Sequence, residues 1–180
     1  MNTDTTPPEL TIAQESIISS VRPWIGASLL VRDQELREFI ARGVDDPRWE
    51  LNEHVSDCGL FALAVLHDVG VPHHLVSAKY VSGMAIDWLN QIAHDLKAIR
   101  YPKRDGKPVP GALMLYYSPR PSKNDHAEFS LSMVTGGYMA DHAGGGRAEC
   151  EIGSGRSDIR WNGGRPLQCW YDPDALLGFE

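Results

Sequence analysis

The chain has 180 residues, 42% of them apolar and 23% charged, with a formal net charge of -7. That size and mixture suit one well-packed globular domain. An acidic chain lacks the cationic field that nucleic acid or an anionic membrane needs, and no run approaches the roughly 18 apolar residues of a membrane span, so no nucleic-acid partner and no membrane span are expected.

Residues 1–10 read as a disordered lead with neither a positive n-region nor an apolar core, and residues 11–180 as a single domain. Synthesis in the cytoplasm without a signal peptide is the expectation. Thr11 can cap a helix running to Val21, with Ile12, Ile17, Ile18 and Val21 apolar and Pro23 stopping it. Asp33 caps a second, Gln34 to Arg42, ended by Gly43. His54, in the segment that follows Trp49 and Leu51, reads as a solvated loop histidine rather than a ligand.

The stretch from Ser56 to Gly70 is the centre of the chain. Ser56 or Asp57 caps a helix, Gly70 ends it in a left-handed conformation, and Leu60 to Leu66 leave almost no polar face, so this helix is predicted to be buried on most sides. Cys58 then stands at its first turn. Unpaired amides and aligned peptide dipoles there favour the thiolate, the nucleophilic form of cysteine. Cys58, Cys150 and Cys169 form no C-x-x-C pair, which argues against a zinc ribbon; a Cys150–Cys169 bridge is compatible with an oxidising compartment.

His73 and His74 read as surface residues on an extended connection, where neighbouring side chains point to opposite faces. A further helix is predicted from Ser82 to Ile99, closed by Pro102. From Gly111 the period changes to that of strands: 112–117, 126–134, 138–143 and short runs at 148–152, 158–162 and 167–171. Helices first and an antiparallel meander afterwards make an α+β domain.

A thiolate needs a base, and the base needs a group that fixes its ring. His126 opens a strand on which Ala127, Phe129, Leu131 and Met133 share one face while His126, Glu128, Ser130 and Ser132 share the other. The orienting group is expected on the neighbouring strand, at His142 or Asp141. A three-residue hairpin loop would set His142 across from Glu128 on the face of His126; a two-residue turn would bring Asp141 there instead, and His142 has the better reach.

Asp57-Cys58-Gly59-Leu60-Phe61 resembles the Asp-Cys-Ser-Gly-Phe/Leu helix start of the NlpC/P60 cysteine peptidases. Pro110-Gly111-Ala112-Leu113-Met114 resembles their Pro-Gly-Asp-Leu-Val strand start, His126-Ala127-Glu128-Phe129-Ser130-Leu131 their His-Val-Gly-Ile-x-Leu strand, and Asp141-His142-Ala143 the His-Ala of its hairpin partner. The resemblance covers about residues 49–146. It departs at Gly59, where the family has serine, at Ala112, where it has aspartate, and upstream, where Trp49 alone hints at the usual aromatic-Gly-Gly segment. These departures bear on subsite contacts more than on the nucleophile. The tail, Ile159 to Asn162 with Cys169-Trp170-Tyr171, is also similar to amidase toxins that type VI secretion systems inject.

The resemblance implies a papain-like fold, with N-terminal helices and the cysteine helix packed on an antiparallel sheet. It further implies a peptidoglycan hydrolase that cuts an amide bond in stem peptides, commonly γ-D-glutamyl-diaminopimelate, with Cys58 as nucleophile, His126 as base and His142 or Asp141 as the third residue. No metal or organic cofactor is implied. Partners would be the stem peptide and, for a toxin effector, a delivery or immunity protein, with action in the periplasm or cell wall after non-Sec delivery. Two other readings stay open: a same-fold cysteine amidase or acyltransferase acting on a non-wall substrate, and a non-enzymatic binding domain.

Overall fold

The computed structural model describes residues 8–28, 33–44, 57–76, 85–98, 100–102, 106–120, 125–145 and 151–179. Trp49, His54, Ser56, Ser82, Cys150 and most of the expected disordered lead lie outside the described residues.

Local capping chemistry sets the helices. Thr11 opens α1 (Ile12–Val21) with a capping box: its hydroxyl accepts from the Gln14 amide at 3.2 Å while the Gln14 side chain takes the Thr11 N–H at 3.1 Å. Asp33 caps α2 (Gln34–Gly43) through the Leu36 amide. The cysteine helix, α3 (Asp57–Asp68), ends in a Schellman motif: Gly70 has φ of 104° and donates to the His67 carbonyl, and the Val71 N–H reaches back to Leu66.

A glycine serves α2 differently. Gly43 was expected to terminate that helix, but it lies within it, and a Cβ there would sit 2.8 Å from the Ala64 Cα of α3. Backbone-to-backbone approach is what glycine permits here. Gly43→Ala is therefore expected to cost about 1–3 kcal/mol despite alanine's better helix propensity, read as a lowered urea midpoint.

Two helical expectations change. His73 and His74 are not on an extended segment; they open a one-turn helix, α4 (His73–Val76), though both remain exposed. The next helix, α5 (Ala85–Asp95), stops well before Pro102, because Lys97 takes a left-handed φ of 58° and the Lys97 and Ala98 amides close back on His94 and Ala93. Residues beyond it form a strand instead, β1 (Arg100–Pro102), on the sheet edge, where proline's missing donor is tolerated.

The remaining strands are β2 (Leu113–Tyr116), β3 (His126–Ser130), β4 (Met139–Gly144), β5 (Gly153–Asp158), β6 (Trp161–Asn162) and β7 (Arg165–Tyr171). They pair antiparallel in the order β1-β7-β2-β3-β4-β5, with β6 folded back on β7. A closing helix, α6 (Pro173–Leu177), is capped by Asp172 and tied to the start of α1 by the Thr11 hydroxyl, which donates to Asp174 at 3.0 Å. The domain is thus α+β, and among the described residues no helix is long and apolar enough to cross a membrane.

Strand alternation sorts the sheet into two buried faces. Leu113, Leu115, Ala127, Phe129, Ala143, Cys169 and Tyr171 pack on the helices, with α3 at the centre of that core. Ala112, Met114, Tyr116, Ala140, Leu167 and Trp170 form a second cluster on the other face, closed by Ile159, whose carbonyl accepts the Tyr116 hydroxyl at 2.9 Å. Each fully buried large side chain contributes about 1.5–3 kcal/mol relative to exposure. Polar residues on β3 and β4 that share this second face are thereby held in a dry environment.

Candidate active site

The first turn of α3 packs against the start of β3. Cys58 is 2% exposed, and its sulfur lies 3.9 Å from the Asp125 carbonyl oxygen, one residue before the strand begins. Asp125 is itself anchored, since its carboxylate accepts the Ser118 amide at 2.7 Å and so joins the two ends of the β2–β3 connection. The next residue, His126, consequently faces Cys58 within hydrogen-bonding contact. Two elements with unrelated local causes, a buried helix and an alternating strand, bring the thiol and the imidazole together.

The ring of His126 is held by a residue on its own strand. Its Nε2 stands 3.0 Å from Glu128 Oε1, leaving Nδ1 as the nitrogen for the sulfur. On the far side of the carboxylate, Glu128 Oε2 is 2.8 Å from His142 Nδ1. That approach is too bent to count as a well-formed hydrogen bond, and neither atom has another bonding partner among the described residues, so the two groups meet as a close polar contact. His142 Nε2 in turn lies 2.8 Å from the Ser157 hydroxyl of β5.

The expected third residue is thus corrected. Either His142 or Asp141 is expected to hold the base directly, but Glu128 stands against His126 Nε2, and His142 touches the carboxylate from behind. Asp141 points to the opposite side of β4, about half exposed, where Arg156 Nη1 donates to both carboxylate oxygens at 3.2 and 3.3 Å. Hairpin length is the reason. The β3–β4 turn contains Gly136–Tyr138 in a tight helical turn with Gly137 and Tyr138 both left-handed, which places His142 across from Ser130 rather than Glu128. A shift of two residues keeps the face and moves the position.

Glu128 and Ser157 are the residues the sequence reading did not single out as site members. Glu128 carries a signal that could have found it: side chains two apart on a strand project from one face, and glutamate is long enough to reach its neighbour. Ser157 carries none, sitting in the polar run Gly-Ser-Gly-Arg-Ser-Asp. Glycines make room for the group. A Cβ on Gly144 would lie 2.7 Å from Glu128 Cγ, and Gly155 pairs opposite His142.

Burial alone would lower the pKa of His126, but hydrogen bonds to Cys58 and Glu128 and their negative charge more than offset it and raise it to about 10. Burial would raise that of Glu128, yet the hydrogen bond to His126 and the His142 ring held against its other oxygen bring it down to about 2. An ionised carboxylate between imidazoles, with an imidazolium against a thiolate, is the protonation pattern these contacts favour.

A pH dependence of stability follows. Glu128, lowered from 4.5, contributes stability above about pH 4.5 that is lost as pH falls toward 2; His126, raised from 6.5, contributes fully below about pH 6.5 and loses it as pH rises through about 10. The cluster's contribution should be greatest between those limits. In Glu128→Gln protein the acid arm of a urea-midpoint profile is expected to flatten and the alkaline arm to move to lower pH. An unchanged profile would contradict the ionised pair.

Among the described residues no group of three histidine, cysteine or carboxylate side chains could hold a metal ion. Cys169 is buried on β7, its sulfur 4.0 Å from Asn90 Oδ1, while the Cys150 end of the expected bridge lies outside the described residues. No family model matches the chain, and no curated protein or solved structure matches it either.

Proposed function

We propose that the protein is a cysteine hydrolase with a papain-like arrangement of helix and sheet, similar to the NlpC/P60 peptidases, that cleaves an amide bond in peptidoglycan stem peptides. One observation carries this reading: a cysteine at the first turn of a buried helix meets a histidine whose other ring nitrogen is held by a buried carboxylate. Nucleophile, base and orienting group in that order are what acyl transfer through a thiol requires.

The chemistry would run as follows. Cys58 thiolate adds to the amide carbonyl carbon, and the oxyanion is held by the backbone amide of Cys58 at the first turn of α3. His126, as imidazolium, gives its proton to the departing nitrogen as the C–N bond breaks, leaving a thioester and a neutral imidazole. Neutral His126 then takes a proton from water as its oxygen attacks the thioester; the acid product leaves, the sulfur returns as thiolate and His126 is again an imidazolium. Glu128 keeps the ring oriented in both states and balances its charge in the imidazolium state.

The preference for a wall peptide, and for γ-D-glutamyl-diaminopimelate in particular, rests on the four-motif resemblance. Such an enzyme would act in the periplasm or cell wall; delivery as a type VI effector, with an immunity protein as counterpart, is the route the tail suggests. The test is mass analysis of fragments released from intact sacculi. Release of peptides with a new amino-terminal diaminopimelate is expected. Sacculi left unchanged by folded protein, while a panel of other amides or thioesters is cleaved, would move the substrate away from the wall.

A further inference from the structure

We infer that His142 and Ser157 are positioning residues that act through Glu128 to hold His126 in the state that keeps Cys58 reactive. The inference rests on the nucleophile reading above and extends it by two residues. Three strands contribute: His126 and Glu128 from β3, His142 from β4 and Ser157 from β5, linked in sequence by contacts of 3.0, 2.8 and 2.8 Å.

Proton accounting along this chain leaves little freedom. An ionised carboxylate only accepts, so the ring nitrogens facing Glu128, Nε2 of His126 and Nδ1 of His142, must both carry hydrogen. With a single ring hydrogen placed on Nδ1, Nε2 of His142 carries a lone pair, and the Ser157 hydroxyl is the donor placed to meet it. Without that hydroxyl the ring is free to adopt its other tautomer, which turns a lone pair toward the carboxylate and repels it. Ser157 therefore selects the tautomer, His142 holds the carboxylate, and the carboxylate holds His126.

Packing supports a dedicated arrangement. The side chains of His126, Glu128 and His142 are each 8% exposed, and the backbone position where a side chain would crowd them is Gly144, 2.7 Å from Glu128 Cγ. Other groups face the row without competing for it. Cys58 reaches His126 from α3; Tyr116, on β2, stays a protonated phenol under burial and the charge of Glu128, and spends its hydrogen on the Ile159 carbonyl. Among the described residues, the groups that draw Glu128 toward ionisation are the two histidine rings.

The experiment is the pH–rate profile of Cys58 alkylation by iodoacetamide, followed by peptide mass so that Cys150 and Cys169 do not interfere. Wild-type Cys58 should react well below the range of a free thiol, about pH 8.5. Losing His142 weakens the imidazolium and so the thiolate beside it. His142→Phe should raise the midpoint by about one pH unit, an about tenfold loss of rate near pH 6, and Ser157→Ala should lose about threefold; Ser157→Thr, which keeps the hydroxyl, should restore the wild-type profile. A wild-type Cys58 that reacts as an ordinary thiol overturns both the nucleophile reading and this extension. Low-pH reactivity that is identical in wild type, His142→Phe and Ser157→Ala overturns the extension alone. Should the variants not fold, nitrogen-15 spectra of wild-type protein decide the matter: a hydrogen on Nδ1 of His142 is expected, and a ring protonated solely on Nε2 overturns the inference.

Discussion

Cys58→Ala protein is expected to fold and to lose turnover by about 10⁴-fold or more on any substrate the wild type cleaves, because the covalent intermediate is formed on the Cys58 sulfur. Cys58→Ser should be nearly as inactive. Its hydroxyl is far less acidic than a thiol, so it is not ionised beside His126, and the imidazole would have to take the proton from a much weaker acid. Melting temperatures within a few degrees of wild type are the control, since replacing Sγ with hydrogen removes little volume and leaves His126 bonded to Glu128. Equal product from wild type and Cys58→Ala would end the proposal of a thiol mechanism.

Glu128→Ala should be the most damaging single change to the fold among the polar residues of the site. Glu128 is 6% exposed and lies between two imidazoles that are themselves buried. Removing the carboxylate strands one or both rings without a counter-charge, a situation that costs about 3–5 kcal/mol. For a domain of this size that is about 10 °C in melting temperature. Asp141→Asn provides the contrast. Its ion pair with Arg156 is solvated on both sides, and its loss should change stability by no more than about 0.5 kcal/mol. Comparable thermal losses in the two variants would mean that the buried carboxylate is not the centre of the cluster.

Legibility in the sequence follows the range of the interaction. Caps are local, so Thr11, Asp33 and Gly70 announce their helices, and the placement of Cys58 in a first turn needs only its neighbours. The buried alternation of β3 places His126 and Glu128 side by side for the same reason. The orienting group stands two residues away on the same strand rather than on the next one. Register is not local: hairpin length set His142 opposite Ser130, and nothing in residues 131–138 taken alone dictates two consecutive left-handed residues, one of them a tyrosine. Edge strands were hidden differently. β1 lies just beyond the expected helix, in the residues before and including Pro102, and β5 is a polar Gly- and Ser-rich run whose pairing with β4, rather than its composition, makes it a strand.

The closure around Cys58 has a chemical corollary. With only 2% of the residue open to solvent, electrophiles are sorted by girth before they are sorted by reactivity. A compact amide such as iodoacetamide can slip to the sulfur where a bulky maleimide is turned away, and a polymeric wall substrate must lever neighbouring groups aside before its carbonyl arrives. Part of the barrier to cleavage is then mechanical, and changes that loosen the rim of the site could speed the reaction while leaving the charges around the sulfur untouched.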